Sequence, residues 1–558
     1  MNPRKVLVTA GLPYSNGRPH VGHVAGALLP ADIYARFERL RGSEVLYVCG
    51  SDDHGVAILL AAEKEGMTPQ ELADHYHDLQ VKAFRGIDLE FDIYSSTSRN
   101  PEHAPMCQSF FRSMNEKGYF EKKVSRQFYD EKKQMFLADR YVKGTCGYCG
   151  TPDQYGDQCE NCGKILDVDS LKSPRSTVSG EPVSTRETLH WFLDLSKWQP
   201  QIEEWLSHAE VREGTRNFVE GILKQGLVQR AITRDLSWGV PVPVEGAEAE
   251  GKVLYVWFDA PIGYISNTLE LLKQRGESEK QLNTWWKNPE TKVVHFIGED
   301  NAIFHCVIWI AMLAAEGSYQ LPDGVIVNQF LNIQFPDQEV EKISKSRGKA
   351  VWVEDYIDAG GSSDVLRYYL CSIAPERART VYQPQELIQK NNSELGNTLG
   401  NFVNRILTFT HKNYGPNVPA LDTAGLTEID EVFQKRTDEV LDQVGRLLES
   451  YQLKTALFEV MEYARACNKY VDDLAPWKTR KTDEVRTKST LNLAIQAISA
   501  LGVLLAPFMP QTSKKIRQML SLPEVDTGDW KNEACLLKAG AELGAPVILF
   551  ERMEEDVT

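Results

Sequence analysis

The sequence predicts an α/β protein in which a parallel sheet is split by an insert and followed by an α-helical bundle. A strand–helix–strand pattern opens the chain, and two more apolar strands appear only after residue 290. From about residue 390 onward, apolar side chains instead recur at helical spacing, i, i+3 and i+4. Strands that alternate with helices form parallel sheets, whereas a run of helices packs on itself. The 558 residues are enough for three or four domains.

The first half of the predicted sheet lies at the amino terminus. Residues 5–10, KVLVTA, form a short apolar run that is typical of a buried strand, and a turn rich in Gly, Pro and Asn ends it. A helical pattern follows from about 21 to 40, and EVLYVCG at 44–50 gives a second strand. This order is the start of a parallel α/β sheet.

The second half of the sheet follows an insert of roughly 120 residues, about 118 to 235. KVVHFIG at 292–298 and GVIVNQFLNI at 324–333 are its two strands, with a helical segment between them. We therefore expect five segments: 1–117 and 236–335 as the two halves of the sheet domain, 118–235 as the insert, 336–390 as a connecting region, and 391–558 as the helical domain.

The carboxyl-terminal region shows mainly helical signals. Long helical patterns cover 428–475 and 485–506, and the Asn- and Gly-containing stretch 413–425 is predicted to be a loop between helices. The remaining strand signal is LKAGAELGAPVILFERM near the end.

Composition excludes few functions. A formal net charge of -16 argues against nonspecific nucleic-acid binding, but a local basic surface can still bind RNA on an acidic protein. The first ten residues hold too short an apolar run for a signal peptide. No stretch approaches the ~20 apolar residues of a membrane helix, so we expect a cytoplasmic protein without a membrane span.

Four cysteines in the insert have the spacing of a metal site. Cys146, Cys149, Cys159 and Cys162 form the pattern C-x2-C-x9-C-x2-C, with glycines that allow tight turns. Four thiolates would close the coordination shell of one zinc ion and make it structural, and a disulfide pair is the weaker alternative in a reduced cytosol. The scattered cysteines are expected to be core residues; they are Cys49, Cys107, Cys306, Cys371, Cys467 and Cys535.

Two histidines stand where the first turn runs into the first helix. His20 and His23 are three residues apart, so both rings can project from one face. A helix start offers free N–H groups and partial positive charge to a phosphate, and Gly22 lets a nucleotide approach the backbone. A pair of surface histidines after a Gly/Pro turn is the alternative reading.

A second motif, Lys342-Ile343-Ser344-Lys345-Ser346-Arg347-Gly348, lies just beyond a strand. Its positive side chains and hydroxyls suit the charge that builds up on a departing pyrophosphate. Alone, the motif is equally consistent with a solvated basic loop. Together with the histidine motif, in this order and after strands of one split sheet, it predicts a nucleotide-activating site.

The two motifs resemble the HIGH and KMSKS signatures of class I aminoacyl-tRNA synthetases, with Val21 and Ile343 as mild departures. This resemblance implies a Rossmann-like sheet that binds ATP, accompanied by Mg2+, at the carboxyl ends of its strands. It also implies aminoacyl-adenylate formation and transfer to tRNA. The implied catalytic residues are His20, His23, Lys342 and Lys345, and the implied ATP-binding residues are His20, Gly22, His23, Gly298, Asp300 and Lys345.

Four longer segments narrow the resemblance to the methionyl-tRNA synthetase family, of the type with a single zinc knuckle. They are VTAGLPYSNGRPHVGH, VLYVWFDAPIGYIS, FIGEDNAIFH and KYVDDLAPWK. The resemblance implies L-methionine and tRNA(Met) as partners, a KMSKS-loop and stem-contact role for 336–390, and anticodon binding by Asn401, Arg405 and Trp477. Its implied methionine-binding residues are Leu12, Tyr14, Asp52, Trp257, Ala260, Pro261, Tyr264, His305 and Trp309.

Some points stay open at this level. Asp53 competes with Asp52 as the carboxylate that binds the methionine ammonium group. Glu299, Gly11 and Ser51 depart from residues that are common in the family. Another class I synthetase, a small HIGH-type nucleotidyltransferase and a zinc-ribbon RNA-binding protein are the alternatives. An insert of about 120 residues leaves little room for the editing domain of the isoleucine, valine and leucine enzymes.

Overall fold

The computed structural model describes residues 4–137, 141–156, 159, 161–162, 166, 168–343, 349–531 and 535–554. Its centre is a six-stranded, wholly parallel sheet. The first three strands come from the amino-terminal segment, whose elements are β1 (Lys5–Ala10), α1 (Val21–His23), α2 (Leu29–Leu40), β2 (Glu44–Ser51), α3 (Val56–Glu65), α4 (Pro69–Gly86), β3 (Ile93–Ser96) and α5 (His103–Glu116).

The insert contains two small antiparallel sheets. Its elements are β4 (Phe120–Asp130), β5 (Met135–Phe136), β6 (Val142–Cys146), β7 (Gln154–Tyr155), β8 (Leu171–Ser176), β9 (Ser184–Asp194), α6 (Gln199–His208), β10 (Glu210–Val211), α7 (Glu213–Gln225) and β11 (Gln229–Ala231). β4 pairs with β9, and β6 lies between β7 and β8. Strand β10 pairs in parallel with a strand of the central sheet, so the insert also contributes an edge strand to that sheet.

The chain then returns to the central sheet. The elements are β12 (Thr233–Asp235), β13 (Lys252–Leu254), α8 (Val256–Gln274), α9 (Gln281–Trp286), β14 (Lys292–Gly298), α10 (Trp309–Glu316) and β15 (Gly324–Asn328). The strand order is β10-β15-β14-β1-β2-β3, which confirms the predicted parallel sheet split by an insert. The order reverses between β14 and β1, and open α/β sheets bind ligands at the carboxyl ends of strands at such a point.

The prediction of one strand over 324–333 is wrong. The chain leaves the central sheet after Asn328, where the Gln329 N–H donates to the Pro375 carbonyl. It then enters a three-stranded sheet of the connecting region, whose elements are β16 (Leu331–Ile333), β17 (Glu341–Lys342), α11 (Val353–Asp358), α12 (Ser363–Ser372), β18 (Thr380–Tyr382) and α13 (Pro384–Lys390). A continuous apolar run does not reveal where a strand changes sheets.

The carboxyl-terminal part is the predicted helical bundle. Its helices are α14 (Asn401–Tyr414), α15 (Glu428–Glu449), α16 (Leu453–Leu474), α17 (Pro476–Thr479), α18 (Glu484–Leu505) and α19 (Pro510–Met519). The pattern over 428–475 belongs to two helices, separated at Tyr451, whose φ of 58° cannot continue a helix. Helix α18 is long and apolar enough to span a membrane by length and composition, and 89% of that window is buried inside the protein.

The late strand signal is wrong as well, since the structure places no strand among the described residues after α19. Instead, the segment runs along the loop that follows α14. The Val418 N–H donates to the Ala541 carbonyl, the Gly540 N–H to the Val418 carbonyl, and the Leu543 N–H to the Pro416 carbonyl. These bonds hold the end of the described chain against the bundle.

A buried arginine joins the sheet domain to the bundle. Arg367 on α12 is 1% exposed, and its guanidinium donates to the Asp32 carboxylate at 2.6 Å. The same group donates to the carbonyls of Ile87, Pro507 and Phe508. One side chain thus ties together α2, the loop after α4 and the turn between α18 and α19.

Candidate active site

The candidate site lies at the carboxyl ends of β1, β2 and β14. The turn after β1 crosses this edge: the Ser15 N–H donates to the Asp52 carbonyl, and the Asp52 N–H donates to the Pro13 carbonyl. Residues 10–20, 52–54 and 298–305 therefore converge on one crevice. Two elements of the connecting region, β17 and the chain that enters α11, close it from the side.

The two histidines of the first motif form the start of a helix. His20 is the N-cap, and its Nδ1 accepts from the Gly22 N–H at 3.1 Å, while its own N–H donates to His23 Nδ1 at 3.2 Å. Their rings stack with centroids 3.7 Å apart. A π-helical segment, Val24–Leu28, continues into α2. Both imidazoles thus stand at an N-terminus, where a phosphate is favoured.

The two motifs meet at Gly22. A Cβ atom at this position would lie 2.9 Å from His20 Nδ1 and 3.1 Å from Ile343 Cδ1, so only glycine fits without movement. The backbones are joined nearby, because the Val21 N–H donates to the Val351 carbonyl and the Val353 N–H to the Pro19 carbonyl. Residues 344–348, including the predicted catalytic Lys345, lie outside the described residues.

Lys342 stands at the edge of the crevice, on β17. Its Nζ lies 4.0 Å from the centre of the Phe330 ring, and the Arg379 guanidinium approaches the same ring at 5.4 Å. Arg379 also forms a salt bridge with Glu299 at 2.9 Å. Glu299, one of the residues that depart from the family pattern, therefore has an ionic partner. These contacts connect β17, which leads into the basic loop, to the turn after β14.

Gly298 ends β14 and Asp300 follows in a short 3-10 turn. A Cβ atom on Gly298 would lie 2.9 Å from Asp300 Oδ1, so the carboxylate folds back over the end of the strand. At Gly11, by contrast, a Cβ atom would make ordinary contacts of 3.6 Å with Asn301 and Ile297. The alanine that is common in the family would therefore fit at position 11.

A narrow cavity opens beside these strand ends. Its lining residues are Leu12, Asp52, Trp257, Ala260, Pro261, Tyr264, Asn301 and His305. The structure thus brings together the predicted methionine-binding residues apart from Tyr14 and Trp309. Tyr14 stands edge-on to Trp257, with ring centroids 6.3 Å apart. Phe304, which the sequence did not single out, stacks on the Trp257 ring at 3.6 Å.

Trp309 lies behind the cavity wall rather than in it. The ring is fully buried, and its Nε1–H donates to His295 Nε2 at 3.2 Å. His295 in turn stacks against Tyr264, with centroids 5.1 Å apart. Trp309 therefore supports a lining residue through one intermediate ring.

The polar groups at the aromatic end of the cavity, Tyr264 and His305, are hydrogen-bonded within the protein. The Tyr264 hydroxyl lies 2.8 Å from His305 Nε2, and His305 Nδ1 lies 3.1 Å from the Asn301 carbonyl. The consistent assignment is that His305 donates through Nδ1 and accepts from Tyr264. Burial lowers the pKa of His305 to about 4, so the ring is neutral at physiological pH. This end of the cavity is aromatic and uncharged.

Asp52 and Asp53 point in different directions. Asp52 lines the cavity, and its Oδ1 has no hydrogen-bond partner among the described residues. Asp53 turns toward the loop after β3, where its Oδ2 accepts from the Ser96 hydroxyl and from the Ser98 backbone N–H at 3.0 Å. Burial raises the pKa of Asp52 well above its usual value, and the charges of Asp259 and Asp53 add to the effect.

A second buried cluster lies next to Asp52, and sequence reasoning missed it. Asp259 is in the first turn of α8, directly before the lining residue Ala260, and it is fully buried. Its Oδ2 lies 3.3 Å from His54 Nδ1, and its Oδ1 lies 3.9 Å from His103 Nε2. Asp259 and His54 belong to the DAP and DDHG segments, so both residues were visible in the sequence. The local sequence does not indicate, however, that residues 54, 103 and 259 come together in the fold.

The four clustered cysteines fit a zinc site. Their sulfur atoms all lie within 4.8 Å of one another, with Cys146 to Cys162 at 3.8 Å and Cys149 to Cys159 at 3.6 Å. Thiolates that surround one zinc ion at ~2.3 Å stand about 3.8 Å apart, so the spacing matches a tetrahedral site. The cluster lies at the end of β6.

The residues predicted to read the anticodon lie together on the bundle. The Arg405 guanidinium sits 5.1 Å from the Trp477 ring and donates to Asp472 at 2.9 Å. Asn401 is exposed one helical turn before Arg405 on α14. Ala475, in the left-handed conformation with φ 42°, ends α16 and turns the chain into the next short helix, where Trp477 is the second residue and is half-exposed.

This fold, with a helix-start histidine pair whose Gly22 packs against Ile343 of the basic motif, defines a class I aminoacyl-tRNA synthetase. Residues 6–407 match the family described as tRNA synthetases class I (M), and residues 418–558 match the anticodon binding domain of methionyl tRNA ligase. The chain belongs to the methionyl-tRNA synthetase family.

Individual relatives agree with this assignment. The chain is 47% identical to the methionine--tRNA ligase of Parabacteroides distasonis, over 99% of this chain and 80% of the relative. It is 46% identical to the same enzyme of Bacteroides fragilis, with the same coverage. Among solved structures, it is similar to Mycobacterium tuberculosis methionyl-tRNA synthetase in complex with methionyl-adenylate, with 25% identity, a TM-score of 0.79, and coverage of 99% of this chain and 100% of that one.

Proposed function

We propose that this chain activates L-methionine with ATP and transfers the methionyl group to tRNA(Met). The observation that carries the proposal is the shared crevice. Asp52, whose Oδ1 has no hydrogen-bond partner among the described residues, and a neutral Tyr264–His305 pair line one cavity, and the His20–His23 helix start lies at the same sheet edge. An amino acid and a nucleotide can therefore bind side by side.

The Asp52 carboxylate suits the ammonium group of the amino acid. Its Oδ1 is buried without a hydrogen-bond partner in the described part of the chain, and a buried charge needs a charged or hydrogen-bonding partner to be stable. The substrate ammonium group provides both. Asp53, which is not among the lining residues of the cavity and whose Oδ2 is bound by the 96–98 loop, has the structural role in this proposal.

The aromatic end of the cavity suits a thioether. Trp257 and Tyr264 offer ring faces and edges, and sulfur–aromatic contacts are worth about 0.3–1.5 kcal/mol each. The Tyr264–His305–Asn301 chain uses its own donors and acceptors internally, so it offers no charge that would favour a polar side chain. Phe304 stacks on the Trp257 ring, and Tyr14 stands edge-on to it.

The first chemical step is adenylation. An oxygen of the methionine carboxylate attacks the α-phosphorus of ATP, the bond from that phosphorus to the bridging oxygen breaks, and pyrophosphate leaves with the negative charge. The N-terminus of α1 and the His20 and His23 rings bind the phosphates, while Lys342 and Lys345 stabilise the departing charge. Gly22 allows the phosphates to approach the backbone, and Gly298 and Asp300 face the adenosine.

The second step is transfer. A hydroxyl of the terminal ribose of tRNA attacks the methionyl carbonyl, the ester forms, and AMP leaves. Asn401, Arg405 and Trp477 bind the anticodon in this proposal, because an accessible Trp can stack on a base and Arg can bond a base edge. The connecting region 336–390 contacts the tRNA stem.

Two metal ions complete the proposal. One structural zinc is held by Cys146, Cys149, Cys159 and Cys162, which form a closed shell without a position for water. Mg2+ accompanies ATP and neutralises phosphate charge. A cytoplasmic location, with the translation machinery, belongs to the same proposal.

The proposal is tested by charging a transcript of tRNA(Met) with labelled methionine. We expect ATP-dependent formation of an alkali-labile methionyl ester, and none on a tRNA transcript with a different anticodon. Equal charging of both transcripts, or none of either in the presence of active adenylation, would contradict the tRNA part of the proposal.

A further inference from the structure

Three carboxylates and two histidines are packed together beneath the amino-acid cavity. Asp52 lines the cavity, and Asp53 and Asp259 lie deeper, each no more than 3% exposed. Asp53 is held by the 96–98 loop, but both oxygens of Asp259 lack a hydrogen-bond partner among the described residues. If the three carboxylates were all charged and no cation compensated them, they would repel one another strongly.

His54 is the group placed to compensate Asp259. Its Nδ1 lies 3.3 Å from Asp259 Oδ2, and Trp238 covers the ring edge-on at 5.6 Å. The groups that face His54 are Asp259 from α8, His103 from α5 with ring centroids 5.9 Å apart, and Asp53 from its own segment. Burial opposes charge on His54, but the charge of Asp259 and the contact with it raise its pKa above the usual value.

His103 cannot serve in the same way. Its Nδ1 lies 3.0 Å from the Ser266 hydroxyl, and its Nε2 lies 3.9 Å from Asp259 Oδ1 and 3.5 Å from the Cys107 sulfur. Burial lowers the pKa of His103, and the ring stays neutral. The cluster therefore has one candidate cation among these residues.

We propose that His54 is a positioning residue for amino-acid binding: its protonated ring neutralises Asp259 behind the cavity wall and so lets Asp52 keep the charge that holds the substrate ammonium group. The inference rests on the proposed function, because it concerns the same cavity. It adds a residue that touches neither methionine nor ATP and acts through Asp259 and Asp52.

A set of isosteric variants tests the charge argument. In His54→Gln the ring charge is lost, Asp259 is uncompensated and Asp52 favours its neutral form, so KM for methionine in ATP–pyrophosphate exchange should rise about tenfold or more. KM for ATP should change by less than about twofold, because the phosphate groups bind elsewhere. Adding Asp259→Asn removes the uncompensated charge, so the double variant should recover a methionine KM within about threefold of the wild type.

The matched control is His190→Gln. His190 is also fully buried and lies 3.0 Å from an aspartate, Asp235, but it belongs to the insert sheet. This change should leave both KM values unaltered. If His54 were merely structural, the costs of the two substitutions would add, and the double variant would be as poor as His54→Gln or poorer. That result, or an unchanged KM in His54→Gln, would overturn the inference.

A pH profile covers the case in which His54→Gln does not fold. As pH rises through the raised pKa of His54, the ring loses its charge and methionine binding should weaken in the wild type. Asp259→Asn should lose this limb, whereas the titration of methionine itself affects both proteins alike. Identical profiles from pH 6 to 9 would overturn the inference.

The same proteins distinguish two further outcomes, a metal site at His54 and a failure of the proposed function itself. A metal analysis should give the same zinc content for the wild type and His54→Gln; a second equivalent that is lost with His54 would assign a metal site and overturn the inference. If the wild type shows no exchange with methionine, the proposed function fails. If it does, and the variants behave otherwise, only the role of His54 fails.

Discussion

Ile343 of the basic motif packs against Gly22 of the histidine motif, so closely that a Cβ atom on Gly22 would lie 3.1 Å from its Cδ1. The two motifs are separated by more than 300 residues in the sequence, yet this contact joins them. Two backbone hydrogen bonds hold the neighbouring segments together, from the Val21 N–H to the Val351 carbonyl and from the Val353 N–H to the Pro19 carbonyl. The contact places the entrance of the basic loop directly over the start of α1. Activity should therefore depend on the absence of a side chain at position 22.

Gly22→Ala should slow adenylation with little effect on folding. The added methyl group must displace the His20 ring or Ile343, and a misplacement of about 1 Å can cost about a hundredfold in rate. The measurement is kcat for ATP–pyrophosphate exchange. Gly26→Ala is the control, because a Cβ atom there meets nothing within 4 Å. Equal rates for the two variants would refute the importance of the contact.

Asp52→Asn and Asp53→Asn should affect different properties, the first methionine binding and the second stability. Asp52→Asn removes the charge from the cavity, so KM for methionine should rise by about a hundredfold, as expected for a charged hydrogen bond of ~3 kcal/mol. Asp53→Asn should mainly lower thermal stability, because it weakens the bonds to the 96–98 loop. A larger KM effect in Asp53→Asn would reverse the assignment.

Methionine binding should weaken at acidic pH. Asp52 has a raised pKa, because of burial first and then the charges of Asp259 and Asp53, so its carboxylate is charged only above that pKa. As pH falls through it, the residue is protonated and can no longer pair with the ammonium group. KM for methionine should rise as the pH is lowered in the wild type, whereas Asp52→Asn should show no such rise.

Arg367→Met should destabilise the junction between the sheet domain and the bundle. It removes one of the two guanidinium partners of Asp32, which keeps Arg36, and it leaves the buried carbonyls of Ile87, Pro507 and Phe508 without this donor, so the cost should be about 1–3 kcal/mol. Differential scanning calorimetry should show a clear fall in the unfolding midpoint. Lys82→Met breaks an exposed pair with Asp358 at 3.4 Å and should change stability by less than about 1 kcal/mol. Similar midpoints for the two variants would contradict the role of Arg367.

The sequence was sufficient to predict the strands that are buried on both faces of the central sheet. Residues 5–10, 44–50 and 292–298 are apolar runs bounded by turn residues, and each is a strand of the central sheet. Local periodicity did not reveal that the chain changes sheets after Asn328, because β15 and β16 are equally apolar.

The sequence could not predict the direction in which individual side chains point. Asp52 and Asp53 are neighbours of the same type, and only the bonds from Ser96 and Ser98 show which one turns away from the cavity. Trp309 fitted an aromatic pocket as well as it fits the core, and its hydrogen bond to His295 places it in the core. The His54–Asp259 contact joins residues about 200 apart, which no local pattern predicts.

The most direct test of the central claim is ATP–pyrophosphate exchange with the purified chain and methionine, cysteine, leucine or valine in turn. A neutral aromatic cavity next to Asp52 predicts rapid exchange with methionine and far slower exchange with the other three, since even one methylene group shifts such discrimination by about 1–3 kcal/mol. Preferred exchange with another of these amino acids, or none with any, would contradict the account.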